Sequence, residues 1–364
     1  MSSKIAIIGI RGIPANFPGS SGIDTYIEQL LPYFEKNKIT LYSRLWTKKN
    51  KLANLNTKNV FIPCIQHKYL DTGIYTFLST FYALFHQDDI FWYHAPGSCL
   101  LIKLAKLFGK KTILTIHGID WQRQKWNTRP EKFFLKSLEA MAVKNADICT
   151  AVSKDICQYI QKTYNKPCVL TSSSLVIQKP VLPKIIKQKF HIDKHQPYIL
   201  YLGRLVPEKR IDILIKTYLN NPTINQSYKL VISGLIEKNK YCKKLVNSAL
   251  NYPNIIFTNY VTGQTKQELL SNCHLFVLPS TIEGNSLSLN EAIGLQKKCL
   301  ISNLPIHKQY QKTFTNVITF KTDSSIDFQK KFIQSLKYKI TSKLKIKSNW
   351  IQTSKIFSNF FKEL

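Results

Sequence analysis

The sequence is short of acidic residues and of arginine. Its 364 residues include 21 Asp and Glu against 52 Lys and Arg, a formal net charge of +31, and arginine occurs only at positions 11, 44, 123, 129, 204 and 210. Proteins that recognise base edges or bind phosphates bidentately tend to use arginine, because its planar guanidinium group can donate two parallel hydrogen bonds. The basic excess is therefore nearly all lysine, and it is spread over both halves of the chain. It indicates either an anionic partner, such as nucleic acid or a membrane, or a nucleotide bias of the genome.

Paired cysteines are also lacking. The eight cysteines form no C-x-x-C pair and no dense cluster, and most lie in apolar runs, as Cys149 and Cys299 do. This distribution is typical of buried thiols in a reducing cytoplasm. It predicts neither a disulfide framework nor a zinc site.

Long hydrophobic runs are absent as well. The apolar run near the N-terminus, residues 4–10, is too short for a signal peptide, and the most apolar and aromatic stretch, residues 73–85, is too short to span a bilayer. We therefore expect a cytoplasmic protein without a membrane span. A hydrophobic content of 44% is that of a globular protein, and the length suggests about two domains.

What the sequence does have is a regular alternation of apolar runs and amphipathic stretches. Strands are predicted at residues 4–10, 90–94, 111–116, 148–152, 198–202, 229–233, 255–257 and 275–278, with helices between them. This alternation predicts parallel α/β sheets in two domains, residues 1–178 and 190–345, joined by a linker rich in Ser, Pro and Lys. We expect a C-terminal helix at about 350–364 to pack back on the first domain.

A glycine-rich loop, residues 9–22, follows the first predicted strand. Glycines there allow backbone N–H groups to approach an anion at the start of the next helix, although a tight turn explains them equally well. The loop lacks G-x-G-x-x-G and contains Pro14. An NAD-dependent oxidoreductase is therefore not predicted.

Two cations flank a turn in the second half of the chain. Arg204 and Lys209 lie in LGRLVPEK, after a strand that ends in Gly203 and before a helix. A guanidinium and an ammonium beside a helix N-terminus suit a diphosphate, whose charge they balance. The alternative is a solvated turn.

Two carboxylates lie eight residues apart in EGNSLSLNE. Glu283 lies in a loop after a predicted strand, and Glu291 lies inside a predicted helix. Such groups accept hydrogen bonds from hydroxyls, and the helix start is open to an anion. A glycosidase carboxylate pair is the competing interpretation, but nothing in the sequence indicates a cleft for a sugar chain.

Together these motifs resemble the retaining GT-B glycosyltransferases of family 4. The resemblance rests on LGRLVPEK (202–209) and EGNSLSLNEAIGLQKKCLISNLP (283–305). Two further segments, RGIPANFPGSSG (11–22) and IHGIDWQRQKW (116–126), are similar to the bacterial rhamnosyltransferase-type branch that builds surface polysaccharide. The resemblance implies an α/β GT-B fold, in which two Rossmann-like domains face each other across a cleft.

The resemblance also implies a role for each matching residue. Arg204 and Lys209 would bind the donor diphosphate, Glu291 the ribose and Glu283 the transferred sugar. His117 matches the histidine that faces the donor sugar. These implied donor contacts are completed by Gly19, Gly22, Gly203, Gly284, Asn285, Ser286 and Leu287. Asn285 and Ser286 stand where the family often has Phe-Gly after its first glutamate.

The implied activity is retaining transfer of a sugar from a nucleotide diphosphate sugar to a hydroxyl of a lipid-linked saccharide. No metal and no cofactor are expected, because the two cations balance the phosphate charge and no D-x-D-like pair follows a strand end. The implied partners are the donor, the saccharide acceptor and an anionic membrane surface, with no nucleic acid. The alternative is a basic membrane- or nucleic-acid-binding α/β protein without catalysis, which would explain the charge but not the motif spacing.

The chain would attach peripherally to the inner face of the plasma membrane. The candidate contact surface is the aromatic stretch 69–85, with Lys68 before it and lysines at 103, 106, 110 and 111 after it. The alternative is that the aromatic residues at 75, 77, 81 and 85 belong to the core.

Overall fold

The computed structural model describes residues 3–48, 57–65, 70–123, 126, 128–175, 177–193, 195–338 and 349–364. The chain divides into two compact units. The N-terminal unit consists of Met1–Ser173 with Asn349–Leu364, and the C-terminal unit consists of Ser174–Ser348.

The N-terminal unit is built on a parallel sheet of seven strands in the order β3-β2-β1-β4-β5-β6-β7. The central strand β4, IFWYH, is buried at all five positions, as expected of a parallel strand covered on both faces. The strands are β1 (Lys4–Ile8), β2 (Lys38–Arg44), β3 (Thr57–Ile62), β4 (Ile90–His94), β5 (Lys111–Ile116), β6 (Ile148–Ala151) and β7 (Val169–Leu170).

Helices connect these strands. Among them, α1 begins at a capping box in which the Ser21 hydroxyl accepts a hydrogen bond from the backbone N–H of Asp24, while the Asp24 carboxylate accepts one from Ser21 N–H. The helices are α1 (Gly22–Leu30), α2 (Leu70–Phe85), α3 (Ile102–Leu107), α4 (Arg129–Asn145) and α5 (Lys154–Tyr164), with 3-10 turns at Leu31–Phe34, Leu45–Thr47, Pro96–Cys99 and Asp120–Gln122.

The C-terminal unit repeats this plan with a parallel sheet of six strands in the order β10-β9-β8-β11-β12-β13. The strands are β8 (Tyr198–Leu202), β9 (Lys229–Ser233), β10 (Ile255–Asn259), β11 (Leu275–Leu278), β12 (Cys299–Ser302) and β13 (Val317–Phe320). The helices are α6 (Ile185–Phe190), α7 (Ile211–Leu219), α8 (Pro222–Ser227), α9 (Lys240–Asn247), α10 (Gly263–Asn272), α11 (Leu287–Gly294), α12 (Pro305–Thr313) and α13 (Ser325–Lys337), with a 3-10 turn at Pro207–Lys209.

The last helix, α14 (Trp350–Glu363), returns to the N-terminal unit. Phe357 and Phe361 pack on the buried Trp92 of β4, with ring centroids 4.2 and 5.7 Å away. The Thr353 hydroxyl donates to the carbonyl of Ser172 at 3.1 Å. A buried aromatic cluster therefore ties the end of the chain to the first sheet.

In each sheet the strand order reverses between two neighbouring strands, β1 and β4 in one unit and β8 and β11 in the other. Ligands of open α/β sheets bind beyond the carboxyl ends of the strands at such switch points. We therefore expect ligand-binding residues in the loops that follow these four strands and their immediate neighbours.

None of the described helices is both long and apolar enough to pass through a bilayer. Of the stretch 69–85 predicted to contact a membrane, residue 69 and the preceding Lys68 lie outside the described residues, and the rest forms α2. The side chain of Tyr75 is fully buried, whereas Phe77 and Phe85 are exposed, so this stretch is neither wholly core nor wholly surface.

Candidate functional site

The loop after β8 approaches the neighbouring strand very closely. A Cβ atom on Gly234, the residue after β9, would lie 2.1 Å from the backbone oxygen of Gly203, so only glycine fits there. The chain then turns through Pro207–Lys209 into α7. This turn places Arg204 and Lys209 beyond the carboxyl end of the central strand.

Lys209 and Glu283 form a buried ion pair. The Lys209 ammonium donates to Glu283 Oε1, and the Ser280 hydroxyl donates to the same oxygen at 2.7 Å. Ser280 and Glu283 follow β11, the neighbour of β8 across the switch point. The structure therefore brings together two of the predicted residues that are 74 positions apart in the chain.

Glu283 stays ionised despite its burial. Loss of solvent alone would raise the pKa of its carboxyl group, but the Lys209 charge and the hydrogen bonds from Lys209 and Ser280 outweigh that effect and lower the pKa. The site thus holds a cation and an anion in direct contact, with both side chains largely buried.

Arg204 lies on the same turn but does not join this pair. Its guanidinium is 3.9 Å from Glu208, and its side chain is 52% exposed. The hydroxyl of Tyr201 donates to the Arg204 backbone carbonyl at 2.7 Å, which fixes the backbone while the side chain stays solvated.

Glu291 is buried on α11 with one oxygen engaged. Its Oε1 accepts from the Lys266 ammonium at 2.6 Å, whereas Oε2 is buried and has no hydrogen-bond partner in the described part of the chain. An ionised carboxylate oxygen is only an acceptor. This oxygen can therefore accept a hydrogen bond from a donor such as a hydroxyl group.

The start of α11 is held by side chains of the same loop. Ser286 caps the helix by accepting from the Leu289 N–H at 3.4 Å. The Asn285 amide oxygen accepts from Asn290 Nδ2 at 3.1 Å, and the Tyr310 hydroxyl donates to Asn290 Oδ1 at 2.6 Å. Asn285 and Ser286 are thus held in place by this network. Gly284 precedes them, and Leu287 is the first residue of the helix.

His307 on α12 is a further buried group near the ion pair. Its Nδ1 donates to the Ser302 carbonyl at 2.7 Å, so its Nε2 is an acceptor, and that atom is buried without a partner in the described ranges. Burial lowers the pKa of His307, although the Glu283 charge opposes the shift. The sequence offered no signal for His307, Lys266 or Ser280, because none lies in a motif and each is placed by tertiary packing.

In the N-terminal unit, the buried carboxylate of Asp24 organises the glycine-rich loop. It accepts from the N–H groups of Arg11 at 2.6 Å and Gly12 at 3.3 Å. Gly19 has a φ of +88°, and its carbonyl accepts from the Arg11 guanidinium, while Gly22 is the first residue of α1. Two loop N–H groups that could have faced an anion are therefore bonded to Asp24 instead.

His117 follows β5 and lies against the end of the adjacent strand β4. Its Nε2 is 3.0 Å from Nδ1 of His94, and the edge of the Tyr26 ring packs on it with centroids 5.1 Å apart. Burial and the charge of Arg123 lower the pKa of His117 to about 3, and burial and His117 lower that of His94. Both imidazoles are therefore neutral at physiological pH.

We expect these histidines to make the protein sensitive to acid. Between pH 6.5 and about 3 the unfolded chain binds a proton at His117 that the folded protein does not, so stability falls as pH falls through this window. Each such histidine contributes a slope of up to about 1.4 kcal/mol per pH unit. Urea unfolding of His117→Gln at pH 7, 6 and 5 should give a smaller slope than wild type, with the exposed His195 replaced in His195→Gln as the control. Equal slopes for wild type and His117→Gln would contradict the buried neutral state.

Two family models match the chain. Residues 184–355 match the family described as Glycosyl transferases group 1, and residues 20–170 match Glycosyltransferase Family 4. Between them the two models cover most of the sequence.

Two curated relatives are also named as glycosyltransferases. The chain is 24% identical over 215 residues to the N,N'-diacetylbacillosaminyl-diphospho-undecaprenol alpha-1,3-N-acetylgalactosaminyltransferase of Campylobacter jejuni, covering 56% of this chain and 55% of the relative. It is 26% identical over 239 residues to the O-antigen chain mannosyltransferase RfbU of Salmonella typhimurium, covering 62% and 64%. The chain thus spans between half and two thirds of the length of these two relatives.

Solved structures show the same fold over the whole chain. Sucrose-phosphate synthase from Thermosynechococcus elongatus superposes with a TM-score of 0.79 at 13% identity, covering 99% of this chain and 98% of that one. Alr3699/HepE of Anabaena, solved with UDP and glucose, gives 0.73 at 12% identity, covering 100% of both chains. The predicted α/β fold of two Rossmann-like domains is confirmed. The chain therefore has the GT-B fold, and its N-terminal and C-terminal parts are similar to the Glycosyltransferase Family 4 and Glycosyl transferases group 1 models.

Proposed function

We propose that the protein is a retaining glycosyltransferase that uses a nucleotide diphosphate sugar. The observation that carries the proposal is the buried, unpartnered Oε2 of Glu291, which lies on the helix α11 that follows β11 and the loop with Glu283, the partner of Lys209. In this proposal the carboxylate accepts hydrogen bonds from the ribose hydroxyls. A buried acceptor left without a partner is costly, and the ligand would remove that cost.

The diphosphate would bind at the turn after β8. The solvated guanidinium of Arg204 can grip two phosphate oxygens, and Lys209 adds a point charge. Because Gly203 has no side chain, the backbone after β8 could approach the diphosphate closely. The loop Gly284–Leu287 brings the start of α11 to the same edge of the sheet. Glu283 would then hydrogen-bond the hydroxyls of the transferred sugar. His117, with the loop that contains Gly19 and Gly22, is assigned to the donor sugar by the resemblance to family 4.

The proposed reaction needs no protein nucleophile. The bond from the anomeric carbon to the diphosphate oxygen breaks, and a bond from that carbon to the acceptor oxygen forms on the same face. The acceptor proton passes to the leaving phosphate oxygen. Because negative charge grows on the diphosphate as the bond breaks, Arg204 and Lys209 stabilise the transition state more than the ground state.

We also propose that no metal and no cofactor take part, because the two cations meet the diphosphate charge themselves. Transfer should then continue at an unchanged rate after the protein is dialysed against EDTA, and added Mg²⁺ or Mn²⁺ should change it by less than about twofold. The control is a metal-dependent glycosyltransferase treated in parallel. Loss of transfer in EDTA with recovery on adding Mg²⁺ would contradict the proposal.

We propose a lipid-linked saccharide acceptor in bacterial surface-polysaccharide synthesis. Two observations support it: the Campylobacter relative is named for a diphospho-undecaprenol acceptor, and the Salmonella relative for the O-antigen chain. The identity of the transferred sugar, rhamnosyl or hexosyl, would be read directly from a donor panel.

Such an acceptor places the protein at the cytoplasmic face of the membrane, and the start of α4 offers a contact surface. Phe133 and Phe134 are adjacent there, and 75% and 58% exposed. Arg129, Lys132 and Lys136 lie in the same part of the helix, and the Lys136 ammonium lies 4.2 Å from the centre of the Trp121 ring. Because α4 begins after β5, this surface lies toward the same edge of the sheet as His117. Apolar side chains flanked by cations fit an anionic lipid surface better than water, each lysine contributing about 1 kcal/mol.

The double variant Phe133→Ser/Phe134→Ser should bind liposomes that contain anionic lipid at least about tenfold more weakly than wild type in co-sedimentation at low salt. The control is Ile326→Ser, which removes a still more exposed apolar side chain from the C-terminal unit. Phe77→Ser/Phe85→Ser tests the α2 surface in the same assay. Binding that is absent at low salt, or as strong on neutral liposomes, would leave the lysine excess as a compositional bias, and binding unchanged in both double variants would exclude these two aromatic surfaces.

The function itself is tested with the purified protein and a panel of radiolabelled nucleotide diphosphate sugars. We expect one donor to raise the melting temperature and to be consumed when a lipid-linked acceptor is present. A protein that binds anionic liposomes or nucleic acid but no sugar nucleotide would support the non-catalytic alternative.

A further inference from the structure

His94 is a buried histidine that the proposed reaction does not yet use. It is the last residue of β4, has no exposed surface, and packs on the Trp92 ring with centroids 4.8 Å apart. Its Nδ1 lies 3.0 Å from Nε2 of His117. One of these two nitrogens must therefore donate to the other.

The other ring nitrogen of His94 shows which of the two histidines donates this hydrogen bond. His94 Nε2 is buried and has no hydrogen-bond partner among the described residues. If His94 accepted from His117, its own proton would lie on Nε2, as a buried N–H with no acceptor. If His94 donates from Nδ1, Nε2 carries only a lone pair. Buried N–H groups without an acceptor are rarer than unsatisfied acceptors, so the second arrangement is favoured.

We infer that His94 is a positioning residue that holds His117 in the tautomer with its proton on Nδ1. In this arrangement His94 Nδ1–H donates to His117 Nε2, which leaves His117 Nδ1–H as the group able to reach a ligand. His117 then acts as a hydrogen-bond donor to a sugar oxygen and not as a base. This last step rests on the proposed function.

Two features support the assignment. The Tyr26 ring edge and the His94 ring both pack on His117, so its ring cannot rotate freely. Burial lowers both pKa values, with the charge of Arg123 lowering that of His117 further, so each imidazole is neutral at physiological pH. Each ring therefore has one protonated and one bare nitrogen.

Nitrogen-15 NMR of the histidine-labelled protein tests the tautomer without any sugar. Bare and protonated ring nitrogens differ widely in chemical shift, and the variants His94→Asn and His117→Gln each remove one set of signals for assignment. We expect a protonated Nδ1 and a bare Nε2 in both residues. A protonated Nε2 on His117, or a doubly protonated ring at neutral pH, would overturn the inference.

Kinetic measurements distinguish the positioning role of His94 from the proposed glycosyltransferase function. Asn at position 94 keeps a donor near the place of Nδ1, whereas Phe does not. We expect His94→Phe to lower kcat about tenfold, which is about 1.4 kcal/mol, and His94→Asn to keep it near wild type. The NMR signature of His117 should change in His94→Phe only. Equal losses of activity in both variants with an unchanged signature would overturn the positioning role. An inactive wild type with the expected tautomer would contradict the proposed function alone.

Discussion

Replacing Lys209 by methionine is expected to lower kcat/KM for the sugar donor by about 10²–10³-fold. Removal of one preorganised charged donor costs a transition state about 2.7–4 kcal/mol, and Lys209 is the buried cation of the proposed diphosphate site. Steady-state kinetics with the donor found by the panel measures the effect. Lys216→Met, a replacement of another lysine on the following helix α7, is the matched control and should leave kcat/KM unchanged.

The same substitution also destabilises the fold, and the two effects can be separated. Lys209→Met leaves the Glu283 carboxylate buried without its cation, which costs roughly 3–5 kcal/mol when one partner of a buried pair is removed. Adding Glu283→Gln removes the unpaired charge, so the double variant should recover most of the melting temperature. It should not recover turnover. A double variant with near wild-type kcat/KM would show that the pair is structural and does not contact the donor.

Replacing Glu291 by glutamine is expected to weaken nucleotide binding by about 10–100-fold. A hydrogen bond to a charged group contributes about 1.5–3 kcal/mol, and glutamine keeps the shape of the side chain without its charge. Titration calorimetry with the nucleotide diphosphate measures the change. The melting temperature of the free variant shows whether loss of the Lys266 partner has disturbed α11.

Deoxyribose analogues make this test specific to the ribose. Wild type should bind the 2′- or 3′-deoxy nucleotide diphosphate more weakly than the ribonucleotide, because the unpartnered Oε2 of Glu291 would lose its donor. Glu291→Gln should discriminate less between the two. If the variant and wild type discriminate equally, Glu291 does not bind the ribose.

The sequence predicted the centre of each sheet well and its margins poorly. The strands β4 (IFWYH), β8 (YILYL) and β11 (LFVL) are almost wholly apolar, β5 (KTILTI) and β9 (KLVIS) have an apolar centre, and the predicted bounds of all five match the observed ones. β2 (KITLYSR) and β3 (TKNVFI) carry polar residues at several positions, and no strand was predicted there. β3 is an edge strand, where one side has no neighbour to require an apolar run.

In the site as well, residues in a local motif could be predicted, whereas contacts between distant segments could not. Glu283 and Glu291 could be found because they belong to a motif on one loop and helix. The partners that give them their chemistry, Lys209 and Lys266, come from other elements, and only the fold brings them within hydrogen-bond distance. His94 was predicted only as the end of a strand, since its contact with His117 depends on the pairing of β4 with β5.

The most direct test of the account is transfer of a labelled sugar from a nucleotide diphosphate donor to a lipid-linked acceptor by the purified protein. Wild type should consume one donor of the panel, and the Lys209→Met/Glu283→Gln variant, folded by its melting temperature, should consume it at least about 10²-fold more slowly. A wild-type protein that neither binds nor consumes any donor of the panel would contradict the central claim.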